Sequence, residues 1–183
     1  MNPRDPQQIR SLLGAWLLLP GTHRRVVALG TRGWLLSRTD PRRRHMLDHF
    51  DVVYPVDLGA TLALRRRGWQ AWGCDTWRLL AEVVGDTSSV LDRQIRVFYF
   101  GGLPGVGSQV MERLTQSIPP LVGVGVRPVQ DELWGPENHH ALRQINAVHP
   151  DIVLVGLPSP LREEWIHAHG SLLDTALVWG IEP

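Results

Sequence analysis

The stretch Asn146–Trp165, NAVHPDIVLVGLPSPLREEW, decides the fold. Ile152–Val155 is apolar at every position and bounded by Pro150-Asp151 and Gly156. Such a run suits a strand covered on both faces. Before it, Glu137–His149 places Ala141, Leu142, Ile145 and Val148 at helical spacing, and Pro150 ends the run. After it, the turn Gly156–Pro160 leads into a second helical segment, Arg162–Ala168. Helix, buried strand, turn and helix in succession describe a parallel sheet, where ligands sit beyond the strand ends.

The same alternation runs outward in both directions. Strands are predicted at Arg25–Leu29, Val52–Tyr54, Gln70–Trp72, Ile95–Phe100, Leu121–Val124 and Ala176–Trp179. Helices are predicted at Pro41–His49, Leu58–Arg67, Thr76–Val84 and Gly107–Ser117. Asp40 before Pro41 and Asp75 before Thr76 are suited to cap the first free N–H groups of their helices. No repeat or long polar linker divides the chain. The 183 residues, 43% hydrophobic, are read as one α/β domain with a mainly parallel sheet flanked by helices. Residues 1–23 form an N-terminal helical segment. Its apolar run Leu12–Leu19 is too short to span a bilayer and reads as a buried helix, with membrane-surface contact the alternative.

Composition excludes some classes. Nineteen basic against eighteen acidic residues give a net charge of +1, which argues against a nucleic-acid binder. The runs Arg42-Arg43-Arg44 and Arg65-Arg66-Arg67 read as solvated helix faces, with an anionic partner, including a lipid surface, as the alternative. One cysteine, Cys74, cannot form an intrachain disulfide and has no local activating partner. His45 and His49 stand one helical turn apart, a zinc-compatible spacing, but with no third ligand evident they read as a helix face. Of the eight tryptophans, Trp134 and Trp165 are expected nearest the cleft.

The strongest local signal is VFYFGGLPGVGSQVMERL, residues 97–114. A strand runs into Gly101-Gly102-Leu103-Pro104-Gly105-Val106-Gly107, and a helix follows. Glycines allow close backbone approach to a ligand, and a helix N-terminus attracts phosphate. The pattern is neither the dinucleotide fingerprint nor a P-loop. On spacing alone, a plain turn and a phosphate site remain equal readings.

Three segments in register resemble the WecG/TagA/CpsF glycosyltransferases: FGGLPGVGSQVMERL, INAVHPDIVLVGLPSPLREEWI and DVVYPVDLGATLALRRRGWQAWGCD. The resemblance covers about Arg25 to Gly180. It implies a single Rossmann-like domain that transfers a sugar from a UDP-sugar to a polyprenol-diphosphate-linked acceptor at the inner face of the bacterial membrane. The family works without the Asp-x-Asp metal motif, and none occurs here; no metal or other cofactor is expected. By position, Gly101, Gly102, Pro104 and Gly105 match the donor-side loop, and Gly156, Pro160, Glu163 and Trp165 match the second motif. Gly73 and Asp75 match a Gly-x-Asp element, where capping is an equal reading.

The departures fall on the chemistry. Ala28 and Gly30 stand where the family has Thr and Asn, and Val56 stands on the proposed general base; valine cannot accept a proton. Asp57, one residue on, is the substitute candidate base, with an ordinary turn or cap role its favoured reading; Glu163 is the other candidate, as base or orienting group. Leu161 and Arg162 replace the family's Lys-Gln, leaving Arg162 as the cation expected at the donor. Partners expected are the UDP-sugar, the lipid-linked acceptor and a peripheral membrane contact, with self-association or a second subunit open. A binding homologue without turnover, serving as a partner subunit, is the rival reading.

Overall fold

The computed structural model describes residues 5–19, 21, 23–66, 68, 72–129 and 133–182. In chain order the elements are α1 (Pro6–Leu18), β1 (Arg24–Leu29), α2 (Thr31–Thr39), α3 (Pro41–Leu47), β2 (Val52–Pro55), α4 (Leu58–Arg65), α5 (Thr76–Leu91), β3 (Ile95–Gly101), α6 (Val106–Ser117), β4 (Leu121–Arg127), α7 (Pro136–Ala147), β5 (Ile152–Gly156), α8 (Leu161–His169), a short 3-10 turn Gly170–Leu172, and β6 (Leu177–Gly180). The six strands form one all-parallel sheet in the order β2-β1-β6-β5-β3-β4. This is the expected Rossmann-like α/β arrangement.

Strand periodicity divides the apolar residues between two cores. Val26, Ala28, Val97, Tyr99, Ile152, Leu154, Leu177 and Trp179 point to one face, under α1, α5 and α6. Val27, Phe98, Phe100, Val153, Val155 and Val178 point to the other, under α7, α8 and the end of α3. Every residue of β5 is buried, as an apolar run requires. Asp40 caps α3 through Arg42 N, and Asp75 caps α5 through Trp77 N and Arg78 N, as their positions suggested.

The expected strand Gln70–Trp72 falls mostly outside the described residues. Gln70 and Ala71 lie outside the described residues, and Trp72 is not in a strand. Helix α2, absent from the sequence reading, fills the crossover between β1 and α3 and tucks Gly33 against Leu29 and Ser159.

Two aspartates lock the amino edge of the sheet. Asp51 accepts from Arg25 N at 2.8 Å and Arg24 Nη1 at 2.9 Å. Asp151 accepts from Arg96 N and, through both oxygens, from Arg93, each at 2.8 Å. Asn146 ties the end of α7 to the approach of β6, donating to Leu172 O and accepting from Asp174 N. Asn146 and Asp151, both within INAVHPD, therefore build the scaffold at the amino edge of the sheet.

Candidate active site at the carboxyl edge of the sheet

From β3 the chain crosses outward to β4, and from its neighbour β5 it crosses the other way to β6. The sheet therefore has a topological switch point between β3 and β5, where a crevice opens at the carboxyl ends. The two turns singled out by sequence flank that crevice. Gly101 and Gly156 are register partners. Gly101 has φ +123°, and a Cβ there would stand 2.6 Å from Gly156 O. A Cβ on Gly156 would overlap the Tyr99 hydroxyl. Both glycines allow the two strand ends to close together.

Beyond Gly101 the backbone makes a tight turn. Val106 N donates to Leu103 O at 3.1 Å around Pro104 and Gly105, the latter with φ +87°. Proline then glycine at the central positions is type II chemistry. Leu103, Pro104 and Gly105 are exposed, and no side chain caps the N-terminus of α6. The loop and the twelve-residue helix behind it thus present backbone N–H groups and the positive end of a helix dipole to solvent.

The second turn differs from expectation. Pro158 is exposed and Pro160 half-buried, but Ser159 is turned inward. Trp165 is wholly buried, stacked on Phe100 at 4.3 Å with its indole N–H donated to Asn138 at 2.7 Å. It is a core residue, not a donor contact. Trp134, half exposed, is the indole nearer to solvent, beside His169.

Arg162 is likewise corrected. Its side chain has no exposed surface. From the first turn of α8 it reaches under the ends of β1 and β6, donating to Ala28 O at 2.8 Å, Ile181 O at 2.7 Å, Glu182 Oε1 at 2.9 Å and Glu163 Oε1 at 2.6 Å. Gly180 makes room, since a Cβ there would stand 2.9 Å from Arg162 Cδ. Burial alone would lower the guanidinium pKa, but the carboxylates of Glu163 and Glu182 outweigh it and hold the charge. With its side chain wholly enclosed, Arg162 presents no donor at the surface where a ligand would lie. Glu163 is buried with it. One carboxylate oxygen is held by Arg162 and the other, Oε2, has no hydrogen-bond partner. A carboxylate enclosed in this way cannot reach an acceptor hydroxyl, so Glu163 is not placed to act as a base.

Asp57 is at the carboxyl end of β2, facing the end of β1. It is the N-cap of α4 and accepts from Ala60 N at 2.7 Å, Thr31 N at 2.6 Å and Thr31 Oγ1 at 2.6 Å. Burial would raise its pKa, but these donors and the Gly59 N–H outweigh it and hold the carboxyl below the usual range. Asp57 therefore clamps α2 to α4 and is a weak base, though it remains exposed. Glu182, which the sequence reading passed over, converges on the same place. Its Oε1 accepts from Gly30 N at 3.2 Å, and a Cβ on Gly30 would stand 3.2 Å from both Asp57 Oδ2 and Glu182 Oε1. An acid three residues beyond a predicted strand's carboxyl end was the available signal.

Elsewhere, the structure supplies the histidine pair with a neighbour. His49 lies edge-on to His45 at 4.7 Å and to His167 of α8 at 5.1 Å. The rings do not converge: among the described residues no three His, Cys, Asp or Glu side chains could hold a metal ion. Burial, then His49, Arg25 and His45, lower the pKa of His167. The unfolded chain titrates near 6.5 and so takes up a proton that the folded chain resists. Stability is therefore expected to fall as pH drops below about 6.5. Urea midpoints at neutral and mildly acidic pH test this; His167→Gln should flatten the slope. Cys74 is buried and its thiol pushed up to about 11, by burial first and then by Asp75 and Glu82, so it is no nucleophile. Among the described residues no helix is long and apolar enough to cross a membrane.

A family model described as the glycosyl transferase WecG/TagA/CpsF family matches residues 3–182, nearly the whole chain. No curated protein matches the chain.

Proposed function

Because the chain belongs to the WecG/TagA/CpsF glycosyl transferase family, we propose that it transfers a sugar from a UDP-sugar to a polyprenol-diphosphate-linked acceptor. The work is done at the inner face of the cell membrane, in bacterial surface polysaccharide synthesis. The observation that carries this reading is the meeting of two glycine turns, at Gly101 and Gly156, across the switch point between β3 and β5. The donor diphosphate lies against Gly101–Gly105 and the start of α6, where N–H groups and the helix dipole supply the positive charge. The sugar extends toward Gly156–Pro160. The acceptor oxygen attacks the anomeric carbon, the bond to UDP breaks with the electron pair leaving on UDP, and the acceptor proton passes to Asp57. Its carboxyl pKa is held low by its donors, which weakens Asp57 as a base.

A second reading, a nucleotide-sugar-binding partner subunit without turnover, is favoured by one observation. Glu163 is enclosed with Arg162, and Asp57 is already taken up by Thr31 and Ala60.

Calorimetry with UDP and several UDP-sugars, followed by UDP release with a lipid-linked acceptor, separates the two. Binding with turnover supports the transferase; binding without it transfers the case to the partner subunit; no binding removes the glycine loop from the donor site. Asp57→Asn should keep UDP affinity, since Asn caps a helix about as well as Asp. Turnover should fall at least about a hundredfold, the usual worth of a general base. Undiminished turnover would take Asp57 off the reaction path.

A further inference from the structure

The face made by α2 and α4 carries a surface that sugar transfer does not use. Large apolar side chains are exposed on these two helices and just beyond: Leu35 (50%), Leu58 (74%), Leu62 (48%) and Trp72 (51%). Exposed arginines stand among them, Arg32 and Arg38 on α2 and Arg65 and Arg66 at the end of α4. The Arg38 guanidinium lies 5.1 Å over the Trp34 ring, and that of Arg65 lies 5.0 Å over Trp72. A groove of about 500 Å³ between the helices is lined by Trp34, Arg38, Gly59, Leu62, Ala63 and Arg66, which brings Arg38 and Arg66 to one side with Trp34 and Leu62.

We propose that this face docks on an anionic lipid bilayer. Single exposed leucines are ordinary, but an apolar patch ringed by cations is an interaction site. Leucine and tryptophan enter the acyl boundary while arginine stems lie along it and their guanidinium groups meet headgroup phosphates. Other occupants fit less well. A nucleic-acid phosphate chain has no use for Leu58, three-quarters exposed, and a second copy would set one cationic face against another. Asp57, at the margin of this face, is engaged by Thr31 and Ala60. Both helices begin at the carboxyl edge, at Thr31 and Leu58. Docking here therefore sets the candidate site beside the membrane. That last consequence rests on the lipid-borne acceptor proposed above; the docking itself does not.

The test is flotation of the full chain with phosphatidylcholine vesicles, with and without phosphatidylglycerol, in the absence of donor and acceptor. The chain is expected to float with anionic vesicles and to be released by high salt. Leu58→Glu with Leu62→Glu, and separately Arg65→Gln with Arg66→Gln, should each weaken binding on the order of tenfold or more. All four side chains are exposed, and an unchanged melting temperature checks that the variants fold. Failure to float, equal flotation with neutral vesicles, or flotation unaltered in both variants overturns the proposal. So does a dimer in solution that the leucine variant abolishes, which would give the face to a second copy. With no sugar present, failure here leaves the donor assignment untouched, and failure of UDP binding leaves the docking intact.

Discussion

Arg162→Met is expected to lower the unfolding free energy by about 3–5 kcal/mol, read as a drop in urea midpoint at unchanged slope. Methionine fills much of the arginine stem's volume, so the loss does not come mainly from a cavity. It comes from what is stranded: the carbonyls of Ala28 and Ile181, and the carboxylates of Glu163 and Glu182, all lose a donor at once. Glu163 suffers most, because it is buried and its second oxygen already has no partner. An unpaired buried charge is far costlier than a buried pair is stabilising, so Arg162→Met with Glu163→Leu should regain a good part of the loss. Arg162→Lys should fall between, because an ammonium cannot satisfy the same spread of acceptors. A loss below about 1 kcal/mol would mean that water reaches the network.

That network also explains what the sequence could and could not convey. Strand β5 was legible because four consecutive apolar residues ahead of a glycine turn admit few other fates, and the glycine loop because Gly-Gly-x-Pro-Gly between a strand and a helix restricts the backbone strongly. Asp40 and Asp75 were legible because capping is local chemistry. Arg162 was not. In sequence it stands in Leu-Arg-Glu-Glu, a run that reads as an exposed helix start next to a ligand turn. Its fate is set by carbonyls 134 and 19 residues away in the chain, which only the closing of β1 against β6 brings together. Asp57 was legible as a cap, which is local chemistry, but its clamp on Thr31 of α2 was not, since that partner lies 26 residues earlier. Helix α2 was itself missed: Gly33 interrupts its pattern, and that glycine makes sense only once Ser159 is seen against it. Trp165 carried a family match and a core position at once, and only its stacking on Phe100 distinguishes them.

Gly105→Asn is the substitution expected to cut UDP affinity most while sparing the fold. Most glycines of the site cannot be used in this way. Ala at Gly101 would meet Gly156 O at 2.6 Å, and Ala at Gly156 would meet the Tyr99 hydroxyl, so either change disturbs the strand ends before it reports on a ligand. At Gly105 a Cβ would have no protein atom within 4 Å. Its φ of +87° sits at the third position of a type II turn, where asparagine is the tolerated alternative to glycine. The stability cost is therefore held to about 1 kcal/mol or less. If a diphosphate approaches the loop and the start of α6, the added side chain occupies the space it needs. Affinity for UDP should fall about tenfold or more, equivalent to roughly 1.4 kcal/mol or above. Calorimetry on a variant whose melting temperature is close to wild type makes the comparison clean. Equal affinity would move the diphosphate away from this loop, and with it the main support for placing the donor between β3 and β5.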